Sequence, residues 1–191
     1  MEVFLIAAMS ADGFIAPGGT AGSGPSTAWT GAADKKRFVE LTKRAKAMVL
    51  GRKTFETFGS RPLKGRDIFV LSRSPPGGTK PMVTVTEGAK DGGAGTVEWT
   101  SLPPRELVAM LAGRGYAELA LCGGSEVYAR FLEADLVDRL YLTIEPVLFG
   151  DGIRLFSKPL EKRLEFVSCG SAGNGTVFLE YRLLREGGSA T

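Results

Sequence analysis

The 191-residue chain has no histidine, only two cysteines and only two tryptophans. Without histidine, Ser-His and Cys-His nucleophilic catalysis falls away, and most zinc chemistry with it. Acid–base work is left to a carboxylate, a lysine, a tyrosine or water. Cys122 and Cys169 lie far apart inside strand-like stretches and make no metal-ligand spacing. They read as two buried free thiols in a reducing compartment, and no metal is expected. No apolar run approaches the ~18 residues a membrane helix needs. The opening Met1–Met9 segment is short and carries no basic lead, so it reads as a buried strand and not a signal peptide. A cytoplasmic location is therefore expected. A net charge of only +3 leaves no footprint for nucleic acid.

What is present is ordinary for a soluble protein: 43% hydrophobic and 24% charged residues, enough to bury one core. One domain over residues 1–185 is expected, with 186–191 as a disordered tail. Apolar runs alternate with amphipathic ones, the pattern of a sheet with crossover helices. Strands are expected at 2–9, 46–50, 67–72, 82–86, 96–99, 117–122, 136–144, 162–169 and 175–184, and helices at 33–44, 52–58, 103–113 and 124–132. In the first helix Asp34, Phe38, Leu41, Thr42 and Ala45 share one face. Pro103-Pro104 opens the third, where a missing N–H costs nothing. Gly173-Asn174-Gly175 reads as the turn of a closing hairpin. The expected fold class is α/β: a single-domain, mixed, mostly parallel central sheet flanked by about four helices, with a C-terminal antiparallel β-hairpin. The glycine-rich 87–95 reads as a mobile surface loop, and the Gly/Pro/Ser-rich 17–28 lies where a lid over a site would be placed.

Three constellations suggest chemistry. In Val49-Leu50-Gly51-Arg52-Lys53-Thr54 a buried strand ends in glycine, and a helix begins with two cations and a hydroxyl. Such a start offers free N–H groups and charge-assisted contacts to phosphate. Leu121-Cys122-Gly123-Gly124-Ser125-Glu126-Val127-Tyr128 repeats the strand–glycine–helix design. Each alone is more often a packing device; together, at the carboxyl ends of strands, they favour a ligand. Neither is a Walker loop, which disfavours phosphoryl transfer. Lys35, Lys36, Arg37, Lys43, Arg44, Lys46, Arg52 and Lys53 crowd one short stretch against Asp34, Glu40 and Glu56. A solvated helix face and a lobe that receives a small polyanion are both open readings. The third constellation is Asp34 on an apolar helix face beside Phe38. It either caps its helix or lines an apolar slot and binds an amidine-like heterocycle edge. Arg66, after Gly65, is expected at the slot mouth, forking onto a substrate anion.

The order Ile6-Ala7-Ala8, Asp12-Gly13, Trp29-x4-Asp34-x3-Phe38, Gly51-Arg52-Lys53-Thr54-Phe55-Glu56, Arg61-Pro62-Leu63-Lys64-Gly65-Arg66, Leu71-Ser72-Arg73, Gly123-Gly124-Ser125-x-Val127-Tyr128, Tyr141-Leu142-Thr143 and Gly150-Asp151 resembles the dihydrofolate reductase family over most of the chain. The resemblance implies an NADPH-dependent oxidoreductase of one-carbon metabolism that makes tetrahydrofolate. Asp34 would hold the pterin's amino-pyrimidine edge and assist protonation of N5, with Thr143 in support. Ile6, Ala7, Ala8, Lys35, Phe38, Arg66 and Cys122 would line the substrate site, Phe38 stacking on the substrate and Arg66 pairing with its glutamate carboxylate. Gly51, Arg52, Lys53, Thr54, Leu71, Ser72, Arg73, Gly123, Gly124, Ser125, Val127 and Tyr128 would cradle NADPH. Residues 12–28 would be a gating loop, and Asp151 its partner on a facing loop.

Met9-Ser10-Ala11-Asp12-Gly13-Phe14-Ile15-Ala16, Ser26-Thr27-x-Trp29-Thr30, Leu136-Val137-Asp138 and Glu145-Pro146-Val147-Leu148-Phe149-Gly150-Asp151-Gly152 resemble instead the reductase domain of the deaminase-reductases of riboflavin biosynthesis. That likeness implies a ribosylaminopyrimidine phosphate, with Lys35 toward the phosphate. A non-catalytic nucleotide-binding relative is the third reading. A monomer or homodimer acting on a small molecule, without nucleic acid or membrane, is expected.

Overall fold

A computed structural model describes residues 1–19, 28–74, 82–85 and 95–185. Residues 87–94 of the loop expected at 87–95, most of the proposed lid and the tail at 186–191 lie outside the described residues. In chain order the elements are β1 (Glu2–Ser10), β2 (Phe14–Pro17), α1 (Ala32–Ala45), β3 (Lys46–Gly51), α2 (Arg52–Thr57), β4 (Asp67–Leu71), β5 (Met82–Val85), β6 (Thr96–Thr100), α3 (Pro104–Gly113), β7 (Glu118–Leu121), α4 (Ser125–Glu133), β8 (Arg139–Glu145), β9 (Gly152–Arg154), β10 (Leu164–Ser171) and β11 (Val177–Leu183).

Nine of these strands form one sheet in the order β10-β11-β8-β1-β7-β3-β4-β6-β5. The pairings from β8 through β6 are parallel, while β11 on β8, β10 on β11 and β5 on β6 are antiparallel. The middle strands β1, β3, β4 and β7 are apolar on both faces through their interiors, because both sheet faces are covered. Alternation divides them between two cores. Val3, Leu5, Ala47, Val49 and Leu119 pack under Leu107, Leu111, Val127 and Phe131 of α3 and α4. Phe4, Ile6, Met48, Leu50 and Ala120 pack with Ala45 and Phe55 of α1 and α2. Phe131 is fully buried, so Phe131→Ala would cost about 3–5 kcal/mol. Lys46 takes φ 62°, which lets α1 pass into β3 without a linker.

The mixed, mostly parallel sheet, the helices and the hairpin are as expected. The start of the expected 136–144 strand is different: Asp138 accepts the N–H of Val3 at 2.9 Å, and pairing begins at Arg139. Two strands carry no sequence expectation, β2 and β9, which pair antiparallel as a separate ribbon. The expectation of two buried cysteines also needs correcting. Cys122 is buried, but Cys169 is exposed, because β10 is an edge strand whose residues are exposed throughout.

Candidate active site

A cleft of about 910 Å³ opens at the carboxyl ends of β1, β3, β4 and β7. Parallel strands place their carboxyl ends together, so residues remote in sequence meet here. The expected substrate residues Ile6, Ala7, Ala8, Asp34, Lys35, Phe38, Arg66 and Cys122 all line it. So do Gly51, Arg52, Lys53, Thr54, Leu71, Ser72, Arg73, Gly123, Gly124, Ser125, Val127 and Tyr128. Thr143 is 1% exposed and lies behind the wall, against Asp34.

Gly31 is the N-cap of α1 and no side chain caps it, which removes the capping role for Asp34. Asp34 sits in the first helical turn, buried, and faces the cleft. Burial pushes its carboxyl pKa up; hydrogen bonds with the Thr143 and Thr30 side chains pull it back. The negative charge of Glu145 adds to the rise and Arg37 opposes it. The result is a carboxyl that holds a proton more readily than a solvated aspartate. Arg37 is itself committed, donating to the Leu142 carbonyl at 2.9 Å and lying 4.8 Å from the Phe178 ring centre.

One lobe is built around the glycines. The N–H of Gly51 donates to the Gly123 carbonyl at 2.8 Å, joining the two strand–glycine–helix turns. A Cβ on Gly124 would stand 3.3 Å from Thr54 Oγ1, and one on Gly51 would stand 3.4 Å from Val127. The Gly123–Gly124 peptide is cis, and Gly123 takes φ 118°. Arg52 donates to the Ser74 carbonyl and lies 5.4 Å from the Trp99 ring centre, while its buried Nε has no partner among the described residues. Lys53 and Arg73 are exposed on the same lobe.

The other lobe is aromatic and apolar. Phe38 stacks on Phe58 with ring centres 5.8 Å apart and an 18° tilt. Trp29 meets Phe149 edge-on at 5.1 Å, and its buried Nε1 has no partner among the described residues. Arg66 departs from its expected place at the mouth: it is only 8% exposed and belongs to the wall. It donates to the Thr42 hydroxyl at 3.1 Å, and burial pushes its guanidinium pKa down. Lys35 is the exposed cation at the rim. Burial pushes the Cys122 thiol pKa far up, so Cys122 is wall and not a nucleophile.

The segment after β1 is tied to the loop after β8. Asp12 accepts from Ser10 Oγ at 2.6 Å and from the Gly150 N–H at 2.7 Å, and also from the Phe149 N–H. Asp151 takes part through its main-chain carbonyl, which accepts the Gly18 N–H at 3.1 Å. Glu145 and Phe58 carry no role in the sequence reading. Strand alternation is the signal for Glu145, two residues beyond Thr143 and therefore on the same side of β8. Phe58 follows Thr54 by one turn at the end of α2.

The RibD C-terminal domain family model matches residues 2–178. The chain is 32% identical over 152 residues to dihydrofolate reductase type 3 of Salmonella typhimurium, covering 79% of this chain and 76% of that one. It is 41% identical over 73 residues to dihydrofolate reductase type A13 of Escherichia coli, covering 38% of this chain and 39% of that one. Among solved structures, a putative riboflavin biosynthesis protein from Shewanella sp. PV-4 is similar with a TM-score of 0.70 at 25% identity, over 97% of this chain and 100% of that one. Dihydrofolate reductase from Enterococcus faecalis, complexed with NADP(H), is similar with a TM-score of 0.66 at 25% identity, over 95% and 96%.

Proposed function

Since the chain belongs to the RibD C-terminal domain family and its homologues are reductases, we propose that this oxidoreductase reduces 7,8-dihydrofolate to 5,6,7,8-tetrahydrofolate with hydride from NADPH. The observation that carries the reading is Asp34: a buried carboxyl in hydrogen-bond contact with Thr143, opening into a slot beside Phe38. A burial cost of this kind is sustained where a ligand edge pairs with the acid.

The glycine lobe fits a dinucleotide. Gly51, Gly123 and Gly124 leave no bulk where backbone would approach a phosphate, and Arg52, Lys53 and Arg73 supply charge beside them. NADPH, when bound, supplies the hydride. Phe38 offers a planar apolar wall to a flat ring, and Arg66, fixed by Thr42, offers an oriented fork to a carboxylate. Asp34 holds the amino-pyrimidine edge, and its raised affinity for a proton lets it assist proton delivery to N5. Trp29 presents a buried N–H that needs an acceptor, which a polar ligand edge or a water would supply.

A second reading is reduction of 5-amino-6-(5-phosphoribosylamino)uracil. It is favoured by the extent of the family match and by Lys35 at the rim, a point charge suited to phosphate. NADPH oxidation followed separately with dihydrofolate and with the ribosylaminopyrimidine phosphate tests the two. Turnover of dihydrofolate supports the first, and turnover of the pyrimidine alone replaces it with the second.

A further inference from the structure

Glu145 ends β8, is 4% exposed, and makes no ion pair among the described residues. Its carboxylate joins three segments. Oε1 accepts the N–H of Gly31 at 2.8 Å, and Oε2 accepts the hydroxyl of Thr176 at 2.7 Å. Gly31 is the N-cap of α1, between Thr30 and Asp34. Thr176, fully buried, belongs to the turn that closes the β10–β11 hairpin. The fit is tight: a Cβ on Gly31 would stand 3.2 Å from Asn174 Nδ2 and 3.4 Å from Glu145 Oε1. Two residues earlier on the same strand, Thr143 meets the Asp34 carboxyl. One strand thus holds both the acid and the turn that presents it.

A neutral amide has one acceptor oxygen, so it could replace Oε1 on the Gly31 N–H or Oε2 on the Thr176 hydroxyl but not both. Burying a carboxylate with no cation beside it is costly, and here both of its oxygens are used, one on the turn that opens α1 and one on the hairpin turn. We propose that Glu145 is a positioning residue for the reaction: by holding the Gly31 N–H and the Thr176 hydroxyl, it fixes the Thr30–Asp34 turn against Thr143. The proposal rests on the reading of Asp34 as the substrate's acidic anchor. The charged and titratable groups that act on Asp34 are Glu145 from β8 and Arg37 one turn further along α1, and Tyr128 of α4 feels the Asp34 charge. Of these, Glu145 is the group whose charge works against ionisation of Asp34.

Glu145→Gln keeps an acceptor for Gly31 and removes the charge, whereas Glu145→Ala removes both. The full chain is labelled with 13C at aspartate carboxyls, and Asp34 is assigned by its loss in Asp34→Asn. In Glu145→Gln the Asp34 titration should fall, since a like charge has gone. The alkaline limb of NADPH oxidation should move down with it, with KM for NADPH unchanged. Glu145→Ala should lose about tenfold or more in kcat as the turn is released, and Glu145→Gln should recover most of that loss at low pH. Parental kcat in a folded Glu145→Ala overturns the proposal, as does an unmoved Asp34 titration in Glu145→Gln, whatever happens to thermal stability. That variant decides alone if Glu145→Ala does not fold. Full activity of Asp34→Asn would instead overturn the reading of the site, and the carboxyl titration, which needs no substrate, distinguishes the two failures.

Discussion

The hydroxyl of Tyr128 donates to the main-chain carbonyl of Ile6 at 2.7 Å, inside the core. The bond ties α4 to β1 behind the glycine pair, and a Cβ on Gly123 would come within 3.5 Å of the same hydroxyl. Burial above all pushes the phenol pKa well up, so the group donates at every working pH. Tyr128→Phe leaves a buried carbonyl without this partner and should cost about 1–3 kcal/mol. Thermal denaturation should show a midpoint lower by roughly 2–8 °C. KM for NADPH should also rise severalfold, because the glycine pair loses its backing. A variant with parental stability and KM would show that the contact is incidental.

Asp34 works against stability in order to serve the site. Its pKa is raised in the fold, so the native state binds its proton more tightly than the unfolded chain does. Any stabilisation from that proton is complete below the ordinary aspartate value of 3.8 and is lost as pH rises through the raised one. Asp34→Asn should therefore be more thermostable than the parent at neutral pH, and the difference should shrink on acidification. Turnover should fall by about a hundredfold or more, with the loss smaller at low pH where solvent protonates the substrate. Thermal scans from below pH 3.8 up to neutral pH, beside kcat measurements, check both halves; lower stability with full activity would make Asp34 a structural residue.

The parallel core was legible because its strands carry continuous apolar runs, as in Ala47-Met48-Val49-Leu50, and lead into Gly51 or Gly123. The glycine lobe followed from the same punctuation. The β2–β9 ribbon was not legible, since Phe14–Pro17 and Gly152–Arg154 are too short for periodicity and are held by the Asp12 clasp on the loop after β8. Cys169 misled because a strand pattern does not say whether a strand is central or at an edge. Arg66 misled similarly: its position after Gly65 suggests an exposed turn, and only the fold brings Thr42 beside it. Glu145 stood in a quoted motif without a role, because the N–H it accepts belongs to Gly31, 114 residues away.

The glycine lobe predicts a cofactor preference. Arg52 is held by Ser74 and Trp99, whereas Lys53 and Arg73 stand exposed beside it on the cleft. A 2′-phosphate facing these cations should favour NADPH over NADH. Arg73→Ala should raise KM for NADPH by about tenfold and leave NADH little changed, the effect of one charge-assisted contact. Steady-state kinetics with both cofactors decides it, and equal kcat/KM values in the parent would remove the phosphate assignment.

The two substrates make opposite demands on Arg66 and Lys35. Arg66 is buried in the wall, with its plane fixed by the bond to Thr42. A fixed planar fork suits a carboxylate, and a lysine in its place would lose the second contact. Lys35 is exposed at the rim, where it suits a phosphate and where solvent weakens a single charge. With dihydrofolate as substrate, Arg66→Lys should raise KM by roughly tenfold to a hundredfold, equivalent to about 1.5–3 kcal/mol, while Lys35→Leu is tolerated. With the pyrimidine phosphate, Lys35→Leu should do the greater damage. Both variants are assayed with both substrates, which separates loss of binding from loss of folding because an unfolded variant fails with each. The expected outcome is the Arg66-dependent one. A Lys35-dependent enzyme that ignores dihydrofolate at millimolar concentration would reverse it.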